Sequence, residues 1–256
     1  MKNNNFKIQF KEVLKISIVS LLLVIIAQFG HLSLANQTIF ESKSQLFEIV
    51  MVNPLNIYLF PLICSMTIAI LLQIKKRNNS MVYEYFRRGR KSYFRDIFIS
   101  VCIVNLFIII VGNLMSCLIT NIIFSKNSGL FEPGVTDTIS MLSNIRSSSV
   151  LTMLFYIVQQ WFVSIVILGF SFVVNLATDN LFLGFFASTI YLIVSEATYF
   201  IIDTNLLDIT LVPAYLPGIK LQPFPENILQ LEIGLIPLIL ITLLIYFKNK
   251  EKIEEV

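Results

Sequence analysis

Few side chains in this sequence are equipped for chemistry, and most of them stand in apolar surroundings. Glu196 lies well inside the run Leu181–Ile202. A carboxylate at that depth in a bilayer costs about 3 kcal/mol unless it is paired, protonated or facing water, so it is a functional candidate by default. His31, the only histidine, lies near the far end of the run Ile16–Ala35. Both residues fall in the outer third of a membrane crossed by these runs. They suit a polar lining of an outward-facing substrate cavity, or plainer roles as a protonated hydrogen-bonder and an interfacial residue. Gln159 and Gln160, near the middle of Val150–Ala177, join them as candidate substrate-pathway residues. These amides, with Asn105 and Asn113 in Ile97–Ile123, are equally suited to hydrogen bonding between helices. Gly112, Ser116 and Thr120 are spaced four apart and make a small-residue stripe for close packing, within the chain or at a seam between two copies.

Catalysis by the chain itself is not expected. A serine hydrolase would have to use the single His31, and Gly169-Phe-Ser171-Phe-Val173 lacks the second glycine of a nucleophile elbow. HExxH is absent. Gly129-Leu-Phe-Glu-Pro-Gly134 is followed by Val-Thr instead of Lys-Ser/Thr, so it is no phosphate-binding loop. Cys64, Cys102 and Cys117 sit inside apolar runs with no CxxC spacing, and read as small apolar fillers. No metal ligand set is expected.

The elements that would position these residues are membrane spans. The chain of 256 residues is 56% hydrophobic and 14% charged, with a mean hydropathy of +0.79. Soluble domains carry roughly a quarter charged residues. A spanning helix needs about 20 mostly apolar residues, and six runs qualify: 16–35, 55–74, 97–123, 150–177, 181–202 and 228–247. The third and fourth exceed the bilayer and must tilt or emerge from it. The expected fold is all-α and integral to the membrane, a single transmembrane domain over 1–256.

Lys and Arg set the orientation. One side receives Lys2, Lys7, Lys11 and Lys15, the cluster Lys75–Arg77 with Arg87, Arg88, Arg90, Lys91 and Arg95, and Lys248, Lys250 and Lys252. The other receives only Lys43, Lys126, Arg146 and Lys220. Both termini are therefore expected in the cytosol. Ser33-Leu34-Ala35 after the first run could serve a signal-peptide cleavage, but the run is long and Glu12 interrupts its basic region, which favours retention. Phe6, Phe10, Val13, Leu14 and Ser17 share a helical face opposite Lys7, Lys11 and Lys15, predicting an amphipathic interface helix over 1–15 before the first span. Asp203–Asn227 carries Pro213, Pro217, Pro223 and Pro225, which exclude one long helix and predict an external cap over 203–227.

The loop 75–96 carries rings as well as charge: Tyr83, Tyr85, Phe86, Tyr93 and Phe94. An aromatic belt at the interface would account for them. Gly89, however, divides the stretch, and Ser80–Arg88 can form a short helix that Ser80 caps, with Tyr83, Phe86 and Arg87 on one face. Such a helix suits insertion into a partner's groove.

The segment N79-S-M-V-Y-E-Y-F-R-R-G-R-K-S-Y-F-R-D-I-F resembles the first cytosolic loop of ABC-2-type transporter permeases. In those proteins a Glu-containing coupling helix is followed by a basic-aromatic stretch leading into the third span. The six runs, the amphipathic N-terminus, the short Thr178–Asn180 connection and the Pro-rich segment before the last run match that layout. Asp96 stands where the family often has a basic residue. The resemblance implies that Tyr83, Glu84, Phe86, Arg87 and Arg88 contact a separate ABC ATPase, which would hold the ATP and magnesium; the chain itself would bind no cofactor. It also implies a second permease chain, a bacterial cytoplasmic membrane, and export of an amphipathic cargo such as a membrane-active peptide. No nucleic-acid partner is expected. An ATP-independent carrier or passive membrane subunit is the alternative.

Overall fold

The computed structural model describes residues 2–30, 54–78, 80–126, 149–178, 180–202 and 226–249. Among them there are seven helices and no strand: α1 Lys2–Gly30, α2 Pro54–Arg77, α3 Ser80–Arg88, α4 Arg90–Lys126, α5 Ser149–Thr178, α6 Leu181–Ile202 and α7 Glu226–Lys248. In hydrocarbon every backbone N–H and C=O must be satisfied within its own segment, and long apolar runs answer that demand as helices. Four of them, α1, α2, α4 and α5, are long and apolar enough to cross a membrane; α6 and α7 contribute the shorter apolar stretches Leu181–Val194 and Leu235–Lys248. At about 1.5 Å per residue, α4 is about 55 Å long and α5 about 45 Å, well beyond a hydrocarbon core of about 30 Å.

The helices run up and down. Glu12 of α1, Lys75 at the end of α2, α3, and Tyr93 at the start of α4 meet at one end. Lys76 donates to the carbonyl of Asn175 near the end of α5 at 3.2 Å, which brings α5 to the same end. Asn180 caps α6 there, its Oδ1 accepting from the Phe182 N–H at 2.9 Å. The basic residues of the N-terminus and the 75–96 loop thereby gather at a single end of the bundle.

Side chains explain which faces meet. Along α1, Gln9, Val13, Ser17, Ser20 and Val24 are buried, a stripe three or four residues apart that faces α4 and α2. Ser20 and Thr67 share a hydrogen bond of 3.2 Å between α1 and α2. Ile68, Leu72, Tyr93, Ile97 and Val101 are fully buried in the cluster they share with Val13. Phe94 and Phe98 set their rings edge-on to Phe172, joining α4 to α5. A second cluster, Cys64, Val163, Ile167, Leu192 and Leu238, unites α2, α5, α6 and α7. Outward, Ile26, Phe107, Val158 and Leu244 are more than half exposed. Water would penalise such an apolar surface; lipid accepts it.

The N-terminal segment departs from expectation. No turn separates an interface helix over 1–15 from a span starting at 16, because α1 runs unbroken from Lys2 to Gly30. The reason is local: no Gly or Pro lies between Phe6 and Phe29, and Glu12 is held against the neighbouring α2 by Lys75. Phe6 and Phe10 do stack, with ring centroids 6.2 Å apart, but Leu14 is exposed. Of the external cap expected over 203–227, residues 203–225 lie outside the described residues, as do His31 and the Ser33–Ala35 site, while Glu226 and Asn227 open α7.

The small-residue stripe packs within the chain. Ser116 and Thr120 are buried, and Ser116 bonds Gln28 of α1. A Cβ on Gly112 would come 3.2 Å from Val24 Cγ1. Val24 can yield a few tenths of an ångström, so Gly112→Ala should be near neutral, the helix gain of about 1 kcal/mol offsetting the squeeze. Gly112→Leu should separate α1 from α4 and lower stability by about 2 kcal/mol. Thermal unfolding of the purified variants in one detergent tests the contrast.

Candidate functional site

Two constructions stand out. The first is at the basic end. The α2 C-terminus carries Lys75, Lys76 and Arg77, the sign a helix dipole favours there. Lys75 is only 4% exposed. Its ammonium contacts Glu84 Oε1 at 2.6 Å and Glu12 Oε2 at 2.9 Å, and lies 5.8 Å from the centroid of the Tyr93 ring. One cation thus ties four helices: α1, α2, α3 and α4. Ser80 begins α3 with its hydroxyl donating to the Lys75 carbonyl at 3.4 Å. Gly89 ends α3 with φ of 79°, a left-handed conformation that an L side chain resists, and its carbonyl accepts from Tyr93 N–H in the first turn of α4.

The short helix is consequently two-faced. Met81 and Glu84 point inward, Met81 into the core and Glu84 to Lys75. Tyr83 and Phe86 are 82% and 80% exposed, and Arg87 is exposed with them. Of the residues expected to face a partner, Tyr83, Phe86 and Arg87 do face outward. Glu84 instead fastens the helix to the bundle. Arg88 belongs to α3, but its side chain is outside the described set.

The second construction is inside the bundle. Gln28, Asn105, Asn113, Ser116 and Gln160 line a cavity of about 60 Å³ between α1, α2, α4 and α5. Val24, Leu59, Phe60 and Ile108 supply part of its apolar wall. Asn113 Nδ2 donates to Gln160 Oε1 at 2.8 Å and to the Ile109 carbonyl at 2.9 Å. Ser116 Oγ donates to Gln28 Oε1 at 2.9 Å, and Asn105 Nδ2 to the Cys64 carbonyl at 3.1 Å. The wall is mostly apolar, with these amides and one hydroxyl set into it and no charged side chain among the described residues that line it.

Of the four residues proposed for a substrate pathway, Gln160 lines this cavity, and Gln159 is buried outside its lining. Glu196 lies in α6 with its side chain outside the described set, so its proximity to His31 is not on view. Among the described residues, no three His, Cys, Asp or Glu side chains group to hold a metal ion. The sequence reading missed Lys75 as a hub, because a basic residue at a span's end looks like any other orientation signal. It missed Gln28 too, whose partner is 88 residues away. A signal existed in each case: a glutamate inside the basic N-terminus, and a lone amide in the first apolar run. No family model matches the chain, and neither a curated protein nor a solved structure matches it.

Proposed function

We propose that this chain is the six-span permease subunit of an ATP-driven ABC exporter in a bacterial cytoplasmic membrane, with both termini and α3 in the cytosol. A separate ABC ATPase would hold ATP and magnesium, and a second permease chain, identical or related, would complete the pathway. The cargo is an amphipathic molecule taken from the inner leaflet, a membrane-active peptide being the preferred class. The observation that carries this reading is α3: a short helix at the basic end, fixed to the bundle on one side and presenting Tyr83, Phe86 and Arg87 on the other. Exposed aromatic rings beside an arginine are the usual composition of an interface anchor. A push on α3 would reach α1 and α2 directly through Glu84, Lys75 and Glu12. It would thereby move walls of the interior cavity, which both helices line.

Mild-detergent purification from the native host tests this. An ABC ATPase should co-purify with the native chain. Tyr83→Ala/Phe86→Ala should lose it at least tenfold while changing stability by no more than about 0.5 kcal/mol, as surface substitutions do. A chain that comes down without any ATPase sinks the permease reading and moves the ATP-independent carrier to first place.

A further inference from the structure

The outer face of α1 changes character along one unbroken helix. Lys7, Lys11 and Lys15 are exposed, and their spacing of four residues puts them on one face, about 6 Å apart along the axis. Ile18, Leu22 and Ile26 continue that face, each more than half exposed. The opposite face, with Gln9, Val13, Ser17 and Ser20, is buried against α2 and α4. A cationic row therefore leads straight into a strip that only hydrocarbon suits.

The neighbouring helix shows where in the membrane this row stands. Gly112 of α4 lies beside Val24, and Ser116 bonds Gln28, 88 residues away. The two helices run parallel, and the same offset sets Ile99 about level with Lys11 and Ile103 about level with Lys15. Both isoleucines are exposed. The two ammonium groups thus stand beside apolar, outward-facing side chains, as lysines do where their stems lie in the interface and their heads reach the phosphates. The headgroup layer on each side of a bilayer is about 6 Å deep, a depth that two successive lysines of the row match.

Charge selects among lipids. Glu12, the one acidic residue of α1, is turned to Lys75, and Asp96 of α4 is held by Arg95 at 3.4 Å. Neither is free to receive the ammonium of a zwitterionic headgroup, whereas the lysines attract a headgroup with net negative charge. The positive end of the α1 dipole adds to that attraction.

We propose that the outer face of α1 is a docking surface for an anionic glycerophospholipid, its phosphate against Lys11 and Lys15, Lys7 at the outer edge, and its chains along Ile18, Leu22 and Ile26. The proposal rests on the bundle lying in a membrane and not on an ATPase, so failure to capture an ATPase leaves it standing.

Lysine acetylation, read residue by residue by mass spectrometry, tests it on the full chain in lipid nanodiscs. Discs of phosphatidylcholine are compared with discs in which phosphatidylglycerol of the same chains replaces part of it. An amine held by a phosphate stays protonated and shielded, and reacts slowly. Lys91, and Lys248 beside Thr178 at the end of α5, are exposed at the same end of the bundle and report the effect of surface charge alone. The expected result is that phosphatidylglycerol slows Lys11 and Lys15 at least threefold more than this reference pair. Equal slowing of all four means diffuse attraction to a charged surface and overturns the docking; no slowing of Lys11 and Lys15 overturns it as well. Glycerol 3-phosphate added to phosphatidylcholine discs should leave every rate unchanged. If it protects Lys11 and Lys15 as well as the lipid does, the face takes free phosphate, and the lipid occupant is overturned. No substitution is required, so misfolding cannot obscure the outcome. A chain that refuses to enter the discs removes the membrane reading and this proposal with it.

Discussion

Lys75→Met should lower the thermal unfolding midpoint by roughly 5–15 °C in a fixed detergent, the equivalent of about 2–4 kcal/mol for a chain of this size. Methionine has nearly the reach of lysine, so little volume is lost; what goes is the charge. Glu84 Oε2 is buried and has no hydrogen-bond partner, and its Oε1 depends on Lys75. Removing the ammonium leaves Glu84 and the half-exposed Glu12 facing each other with no counter-charge between them. Breaking a buried pair from one side costs about 3–5 kcal/mol. The partial exposure of both carboxylates, 44% and 24%, brings the expectation down toward the value for exposed pairs. The substitution that removes all three charges, Lys75→Met with Glu12→Gln and Glu84→Gln, should recover most of the loss, because no charge is then left unpaired. Trypsin adds a local readout: α3 carries the exposed Arg87, and cleavage there should quicken in Lys75→Met before the bundle unfolds. If the triple variant is no more stable than the single, the carboxylates are not what Lys75 restrains, and the junction is held by the packing of Met81 and Tyr93 and by its backbone hydrogen bonds instead.

That junction also shows what could be read from the chain alone. Hydropathy set the starts of α1 and α4 too late, because both helices continue into charged residues, from Lys2 and from Arg90. It located α2, α5, α6 and α7 to within a few residues, since helix length in a bilayer is a property of local composition. The break at Gly89 and the outward trio Tyr83, Phe86 and Arg87 were legible for the same reason: a glycine stop and an i, i+3, i+4 face are local. The role of Glu84 was not. It is decided by Lys75, nine residues back on another helix, and by Glu12 on a third. The interior cavity was half legible. Its amides were visible as polar residues in apolar runs, but which of them converge depends on how α1, α2, α4 and α5 rotate about their axes. Gln159 and Gln160 are adjacent, and packing puts only Gln160 on the cavity.

Gly184→Val should cost about 3 kcal/mol, the upper part of the range for overpacking a tight core. Gly184 faces Asn175 where α5 and α6 fold back on each other, and Ser171 donates to its carbonyl. A Cβ placed on Gly184 would stand 2.6 Å from Asn175 Nδ2, 2.8 Å from its Cγ and 2.9 Å from its Cβ. Rotating Asn175 would relieve the first two clashes, at the expense of its hydrogen bond to the Ala69 carbonyl of α2 at 3.3 Å. It would not relieve the third, because Cβ is fixed to the backbone. The helices themselves must part, and α6 is also bound to α2 by Ser65 donating to the Phe185 carbonyl and Ser188 to that of Pro61. A double-mutant cycle separates these contributions. Asn175→Ala alone forfeits a hydrogen bond, about 1 kcal/mol. Combined with Gly184→Val it removes Nδ2 and Cγ but keeps Cβ, so the double variant should be less destabilised than the sum of the singles by about 1 kcal/mol, yet should not return to the level of Asn175→Ala. Additivity within about 0.5 kcal/mol would mean that the two residues do not touch, and the close approach of α5 and α6 at Gly184 would have to be abandoned.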